Sequence, residues 1–430
     1  MSHLIRDPIH GFIKHSSSER AIIDTAPFQR LRGISQLGLV SKVYPGATHT
    51  RFEHSIGTMH LASMAFDAIQ EGLDPTIRRQ LGWHKDPARK KDKRLVRLAA
   101  LLHDIGHTPF SHVGAGPKTN SLCPDGYSHE KYGEQIIHSS DIAGMVSKEE
   151  GPEALEDIII IAGLAPPLQL RQRLLSELIA GTIGVDRLDY LPRDSLYTGA
   201  TAGRCDIERL IYTMRVLRHP KFEDPLIVID LGGILAVEEM IFARHAMRVQ
   251  VYIHPICDIY GLHLREFLRD HLPEGRWPTD INDYLQYDDH RIWEEMRWAY
   301  QDPSMPGYLH ATRLHGRNHF RCAYEVTTRH MEDNALIYQQ LEQEVYNRFP
   351  RELIRTVIAQ EDVYSTQKEG DLIVLTLDGP RNITAQSEIL QSLALTFRFF
   401  GRIYAAPEKK EEVRRVCAEF VRKETGYETA

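Results

Sequence analysis

The run Leu95-Val96-Arg97-Leu98-Ala99-Ala100-Leu101-Leu102 leads straight into His103-Asp104-Ile105-Gly106-His107. An apolar helix that ends on an imidazole and a carboxylate pays a desolvation cost unless both groups find partners. Neighbouring residues of a helix point about 100° apart, so His103 and Asp104 can face one cavity at the helix end. His107, four residues beyond His103, can lie above the same face. Gly106 permits a close turn there. A divalent cation would satisfy imidazole and carboxylate together. The bland alternative is a helix that simply ends in polar residues, as most do.

Two further segments can reach the same ion. His54 follows Arg51-Phe52-Glu53 in a helical pattern, with Phe52, Ile56, Met59, Ser63 and Phe66 at steps of four and three. Asp186 lies in Gly184-Val185-Asp186-Arg187-Leu188-Asp189-Tyr190. The region is rich in imidazole, since nine of the 22 histidines fall between His49 and His138. Histidine is the commonest metal ligand and a near-neutral acid–base group. His54, His103, Asp104 and Asp186 form a nitrogen and oxygen donor set that suits Mn, Fe, Co, Ni or Zn better than Mg alone. It leaves positions open, as a hydrolytic site needs.

Composition narrows the setting. The chain has 430 residues, 42% of them apolar, enough for a sizeable core. Its net charge of −7 argues against duplex nucleic acid as the main partner. Five scattered cysteines, none in a C-x-x-C pair, make neither a disulfide framework nor a thiolate zinc site. With no apolar signal core near the N-terminus, and no apolar stretch longer than Ile158–Ala165, the expectation is a cytoplasmic protein away from membranes.

The pattern predicts a mainly α protein with a smaller α+β C-terminal lobe. Residues 1–50 form an N-terminal segment of short elements, 51–305 a helical domain, and 306–430 the lobe. Helices are expected from Phe52, over Leu95–Ile105, Glu130–Ser139, Glu153–Ala162, Leu168–Tyr190, Ile207–Leu217 and Gly233–Tyr252. His84–Arg94, rich in Lys and Arg, reads as a solvated loop or a basic rim. Strands are expected at His319–Thr327, Asp371–Leu377 and Leu395–Ala405, with helices at Asp333–Arg348 and Pro407–Arg422.

The residues also match a known family. Asp7-Pro8-Ile9-His10-Gly11, Phe28-Gln29-Arg30-Leu31-Arg32, Gln36-Leu37-Gly38, Tyr44-Pro45-Gly46 and Arg51-Phe52-Glu53-His54 occur in order. His103 to His112, Ser128-His129-Glu130 and Asp186 to Asp194 follow. The series resembles the HD-domain phosphohydrolases, and within them the dNTP triphosphohydrolase subgroup. The resemblance covers residue 4 to about 260 and weakens beyond. It implies an HD-domain helical core that cleaves a dNTP to deoxynucleoside and inorganic triphosphate. The ion, with His54, His103, Asp104 and Asp186 as ligands, would activate the attacking water, and Mg would accompany the triphosphate. His107 and His129, oriented by Glu130, would carry acid–base work beside Asp186. Gln36, Leu37, Arg51, His112, Arg187, Tyr190, Asp194, Arg244, Arg248 and Tyr252 would bind substrate, with Tyr252 packed where a ribose carries its 2′-hydroxyl. Residues matching Asp24, Gln29 and Arg32 recognise a guanine-nucleotide activator between subunits in the mammalian member, which implies a regulated homo-oligomer, dimer or tetramer. Arg187 and Arg248 stand where that member has lysine and histidine.

Spacing supports part of this. Asp186, Asp189, Tyr190, Arg193 and Asp194 share one helical face, interrupted by Pro192, and read either as a site or as a solvated face. Arg244, Arg248 and Tyr252 step by four. Two guanidiniums one turn apart suit an anion between them, or line a solvent-facing stripe. Two rival readings stay open. One is an HD hydrolase of a modified nucleotide, a monophosphate or a signalling nucleotide. The other is a nucleotide-gated, nucleic-acid-binding scaffold.

Overall fold

The computed structural model describes residues 3–117, 120–219, 224–362, 372–394 and 397–426. It is mainly helical, as expected. A hairpin of β1 (His3–Asp7) and β2 (Gly11–His15) opens the chain. Helix α1 (Arg51–Ala68) begins at Thr50, whose amide is taken by the Glu53 carboxylate at 2.9 Å. It buries residues all round, from Phe52 and His54 to Phe66, so it runs through the core rather than over it.

Helix α2 (Asp86–Leu102) packs along α1 and ends on His103. It corrects the expected loop at His84–Arg94, because Asp86-Pro87 starts the helix nine residues before its apolar half at Leu95. The basic residues of that first half meet acids on neighbouring elements: Lys91 with Glu153 at 2.7 Å, Lys93 with Asp67 at 2.5 Å and Arg94 with Glu150 at 2.5 Å.

Helix α3 (His129–Ser139) follows, and then α4 (Leu170–Ala180) and α5 (Val185–Thr198). The single helix expected over Leu168–Tyr190 is thus two. The break lies at Gly181–Gly184, where a Cβ on Gly184 would stand 2.2 Å from the Ile179 carbonyl. Helix α5 continues through Pro192 to Thr198. The expected helix Ile207–Leu217 ends at Tyr212; its second half is β3 (Met214–Arg218), paired antiparallel with β4 (Pro225–Asp230). Then come α6 (Ile234–Met247), a π-turn over Arg248–Tyr252, α7 (Pro255–His271), α8 (Asp289–Gln301) and α9 (Tyr308–His315).

The C-terminal region holds β5 (Arg321–Thr327), α10 (Ile337–Arg348), β6 (Ile354–Asp362), β7 (Ile373–Thr376), β8 (Gly379–Asn382), β9 (Phe397–Ala405) and α11 (Lys410–Thr425). The expected strand starts at Asp371 and Leu395 lie outside the described residues. Sheet order is β5-β9-β6, covered by α10 and α11 around Val326, Leu341, Ile403 and Cys417. The β7–β8 hairpin goes elsewhere. It extends β3–β4, and Val374 and Ile383 join the larger helical core.

Candidate active site

The ends of α1, α2, α3 and α5 meet at one cavity of about 720 Å³. At its floor His54 Nε2 lies 3.1 Å from Asp186 Oδ1 and 3.4 Å from Asp104 Oδ2. His103 Nε2 lies 3.4 Å from Asp104 Oδ1 and 3.6 Å from Asp186 Oδ1. Both Nε2 atoms are buried without a hydrogen bond. His103 Nδ1 sits 2.8 Å from the Ala100 carbonyl and so donates to it, which turns the lone pair of Nε2 inward. Two orphaned imidazole nitrogens facing two carboxylates are what a divalent cation requires. Burial works against a charged His54, but the facing Asp186 and Asp189 carboxylates outweigh it and raise the imidazole to about 10. Burial likewise opposes the Asp186 charge, and the two imidazoles hold it below the usual range.

A polar network behind His54 holds the ring in place. Asp189, fully buried, contacts His54 Nδ1 at 2.7 Å, His10 Nε2 at 2.7 Å and two Arg193 nitrogens at 2.8 Å. Arg193 continues to Asp7 at 2.9 Å, and Asp7 takes the Ile9 and His10 amides. Burial alone would raise the Asp189 carboxyl; the Arg193 charge and its hydrogen bonds hold it well below the usual range. Only glycine fits opposite, since a Cβ on Gly57 would stand 1.9 Å from Asp189 Oδ1.

Three imidazoles stand beside the donors. His107 stacks on His129 with ring centroids 4.3 Å apart, and His112 meets both edge-on. His107 Nε2 is 3.3 Å from Asp104 Oδ1. Burial lowers all three pKa values, that of His112 to about 4. His129 remains partly exposed, with Glu130 at 3.4 Å. The turn before His112 is strained: Phe110 and Ser111 both have positive φ, 58° and 57°. Buried Asp289 on α8 holds it, taking the Phe110 amide at 2.6 Å and the Ser35 amide at 2.9 Å.

Other expected residues fall as follows. Gln36, Leu37, Tyr190, Asp194, Arg248 and Tyr252 line the cavity. Tyr252 donates to Asp194 at 2.7 Å, and His49 Nε2 donates to the other Asp194 oxygen at 2.8 Å. Arg51 lines it too, but is engaged by Asp104 and donates to Ser111 at 2.8 Å. Arg187 and Arg244 are not in the lining; Arg187 turns to the Gly181 carbonyl. Asp24 pairs with Arg20 at 2.5 Å, Gln29 accepts from Arg32 at 2.9 Å, and Arg32 lies over the Phe52 ring. All three sit near the surface, away from the cavity lining.

Sequence reading gave no role to Asp7, His10, His49, Asp289 or Arg265, and set Asp189 only on the polar face it shares with Asp186 and Arg193. Arg265 lines the cavity with Cys257 and Gly261, and that four-residue step on α7 was its available signal. The others bond across gaps that no local spacing reports.

The fold and donor set define a metal-binding helical hydrolase. Residues 51–191 match the HD domain and 205–426 the HD associated region. The chain belongs to the HD-domain phosphohydrolases. It is 32% identical to an uncharacterized protein of Methanocaldococcus jannaschii over 422 residues, 96% of this chain and 81% of that one. A deoxynucleoside triphosphate triphosphohydrolase SAMHD1 homolog of Dictyostelium discoideum is 30% identical over 302 residues, 66% of this chain; the match spans about half, 52%, of that protein. A crystal structure of a hypothetical protein from Aquifex aeolicus superposes with a TM-score of 0.80 at 31% identity, covering 97% of this chain and 100% of that one. No helix among the described residues is long and apolar enough to cross a membrane.

Proposed function

We propose that the chain hydrolyses deoxynucleoside triphosphates to deoxynucleoside and inorganic triphosphate. The observation that carries this reading is one cavity lined by His103, Asp104 and Asp186, with buried His54 against the two carboxylates, three histidines beside them and the Tyr190, Tyr252, Asp194 group in the same wall. The named activity of the Dictyostelium relative supports it.

His54, His103, Asp104 and Asp186 would hold the ion. A bound divalent ion supplies a Lewis acid for a phosphate oxygen and lowers the pKa of water. The protein's own groups do the rest. Arg51, Arg248 and Arg265 line the cavity and offset phosphate charge. His107 and His129 are neutral near pH 7 because burial lowers them. A triphosphate beside them raises their pKa, so either can deliver a proton to the 5′-oxygen as it leaves. Tyr252, held by Asp194, closes on the sugar face where a 2′-hydroxyl would stand. Arg187 and Arg244 belong to an outer set around Tyr190, whose phenol feels both charges. Activation by a guanine nucleotide near Asp24, Gln29 and Arg32, in a homo-oligomer, is part of the same proposal.

The test is triphosphate release from each dNTP, singly and in all pairs, with Mn²⁺ or Mg²⁺. Release from dNTPs and not from ATP or GTP is expected; stimulation only in pairs identifies an activator. No triphosphate from any dNTP, by folded and metal-loaded protein, overturns the reading. Hydrolysis of ribonucleotides or monophosphates instead would establish another HD hydrolase activity.

A further inference from the structure

We propose a second divalent-cation site, of the kind that takes Zn²⁺, formed by His263, Glu266 and His310. His263 and Glu266 are three residues apart on α7 and share a face. His310 comes from α9, packed beside it. The Nδ1 atoms of His263 and His310 lie 3.6 and 3.2 Å from one oxygen, Glu266 Oε2. The three donor atoms lie within 4.8 Å of one another. Each is buried and makes no hydrogen bond.

The spacing speaks for an ion rather than for shared protons. Ligand atoms about 2.0–2.2 Å from a tetrahedral Zn²⁺ stand roughly 3.3–3.5 Å apart. A formed N–H···O bond would bring them to about 2.9 Å. Two buried histidine–carboxylate hydrogen bonds are short, 2.7 Å for His10 with Asp189 and 2.8 Å for His49 with Asp194, while His271 with Glu295 stands at 3.2 Å without a third donor. The donors at the cavity floor instead show 3.1 and 3.6 Å, the same spacing as here.

The surroundings fit as well. Glu266 Oε1 accepts from Arg355 Nε on β6 at 2.9 Å, which orients the other oxygen toward the imidazoles. Two imidazoles and a carboxylate make a donor set for a borderline cation, with a fourth position for water. One contact must yield: the Phe320 amide lies 3.5 Å from His263 Nε2, and a ring bound through Nδ1 carries its proton there. None of the three ligands lines the cavity. An ion here would pin α7 to α9 and, through Arg355, to the C-terminal sheet.

The test is metal content per chain by mass spectrometry after Zn²⁺ loading and gel filtration. In a His103→Ala/Asp104→Ala background, which lacks two of the four cavity donors, one ion per chain is expected. Adding Glu266→Gln, close in shape, should remove it, as should His310→Ala. In that background, Co²⁺ should give a tetrahedral visible band that both changes abolish. If the background protein does not fold, wild type and Glu266→Gln are compared directly, with one ion fewer expected in the variant. No ion in the folded background, or an unchanged count after Glu266→Gln, overturns the proposal. Either result leaves the triphosphohydrolase reading standing, since that rests on the other donors.

Discussion

His54 can offer Nε2 to a cation only while Nδ1 keeps its proton, and Asp189 is the group that holds it there. Asp189→Asn preserves volume but removes the charge. The expected outcome is a rise of about 10- to 100-fold in the Kd for Mn²⁺, by titration calorimetry, in protein with native circular dichroism. An unchanged Kd would mean the ring is held by packing alone. Asp289 gives a second prediction, in pH. Burial raises its carboxyl to about 6, so the folded state binds a proton that the unfolded state has lost above about 4. Stability from this group is therefore present at low pH and lost as pH rises from about 4 to 6, by about 2 kcal/mol. Asparagine does not titrate. Urea denaturation should show the advantage of wild type over Asp289→Asn shrinking by that amount between pH 4 and pH 6.5, and a constant difference sinks the assignment. These two residues also mark what sequence can disclose. His54, His103, Asp104 and Asp186 are legible because ligand chemistry admits few residue types. Asp189 and His10 are bonded across 179 positions, a pairing no local pattern encodes.

Elements were legible where a period of 3.6 or a strand run stood alone, as in α1 and β5. They were not where tertiary partners decide. The basic first half of α2 looks like a loop until Glu150, Glu153 and Asp67 arrive from other elements to pair with it. Met214–Arg218 is a strand because β4 lies beside it. Helix approach is decided the same way at Gly106. A Cβ there would stand 2.1 Å from the His129 carbonyl and 2.2 Å from the Gly133 amide, so α3 sits as close to α2 as it does only because this residue has no side chain. Gly106→Ala should push α3, and His129 with it, outward by a fraction of an ångström. A misplacement near 1 Å costs about 10²-fold in rate, so kcat for triphosphate release should fall roughly 10- to 100-fold. Metal content should stay at the wild-type value, because the cavity donors come from α1, α5 and the end of α2. Loss of the ion together with the rate would place the damage in the donors instead.

At the scale of the whole molecule, the C-terminal sheet lines the cavity with Val357 of β6 and braces its wall through a buried arginine. Arg402 on β9 pairs across the strand with Glu325 of β5 at 2.6 Å, donates to the Ile253 carbonyl at 2.6 Å and engages Asp258 on α7. Asp258 lines the cavity beside Cys257 and Arg265. Burial raises the Asp258 carboxyl despite the guanidinium next to it, so its charge depends on that partner. Arg402→Ala leaves two acids facing a space with no cation, a loss worth about 3–5 kcal/mol. In scanning calorimetry the Tm should drop by about 3–6 °C. Without Arg402, Asp258 should take up a proton and lose its charge hold on Arg265, so KM for a dNTP should rise more than kcat falls. Arg402→Lys keeps a charge but cannot reach three acceptors at once, and should recover KM more fully than Tm. A lowered Tm with KM unchanged would show that the C-terminal lobe only props the helical core. A rise in KM that lysine reverses would make the lobe part of the substrate wall.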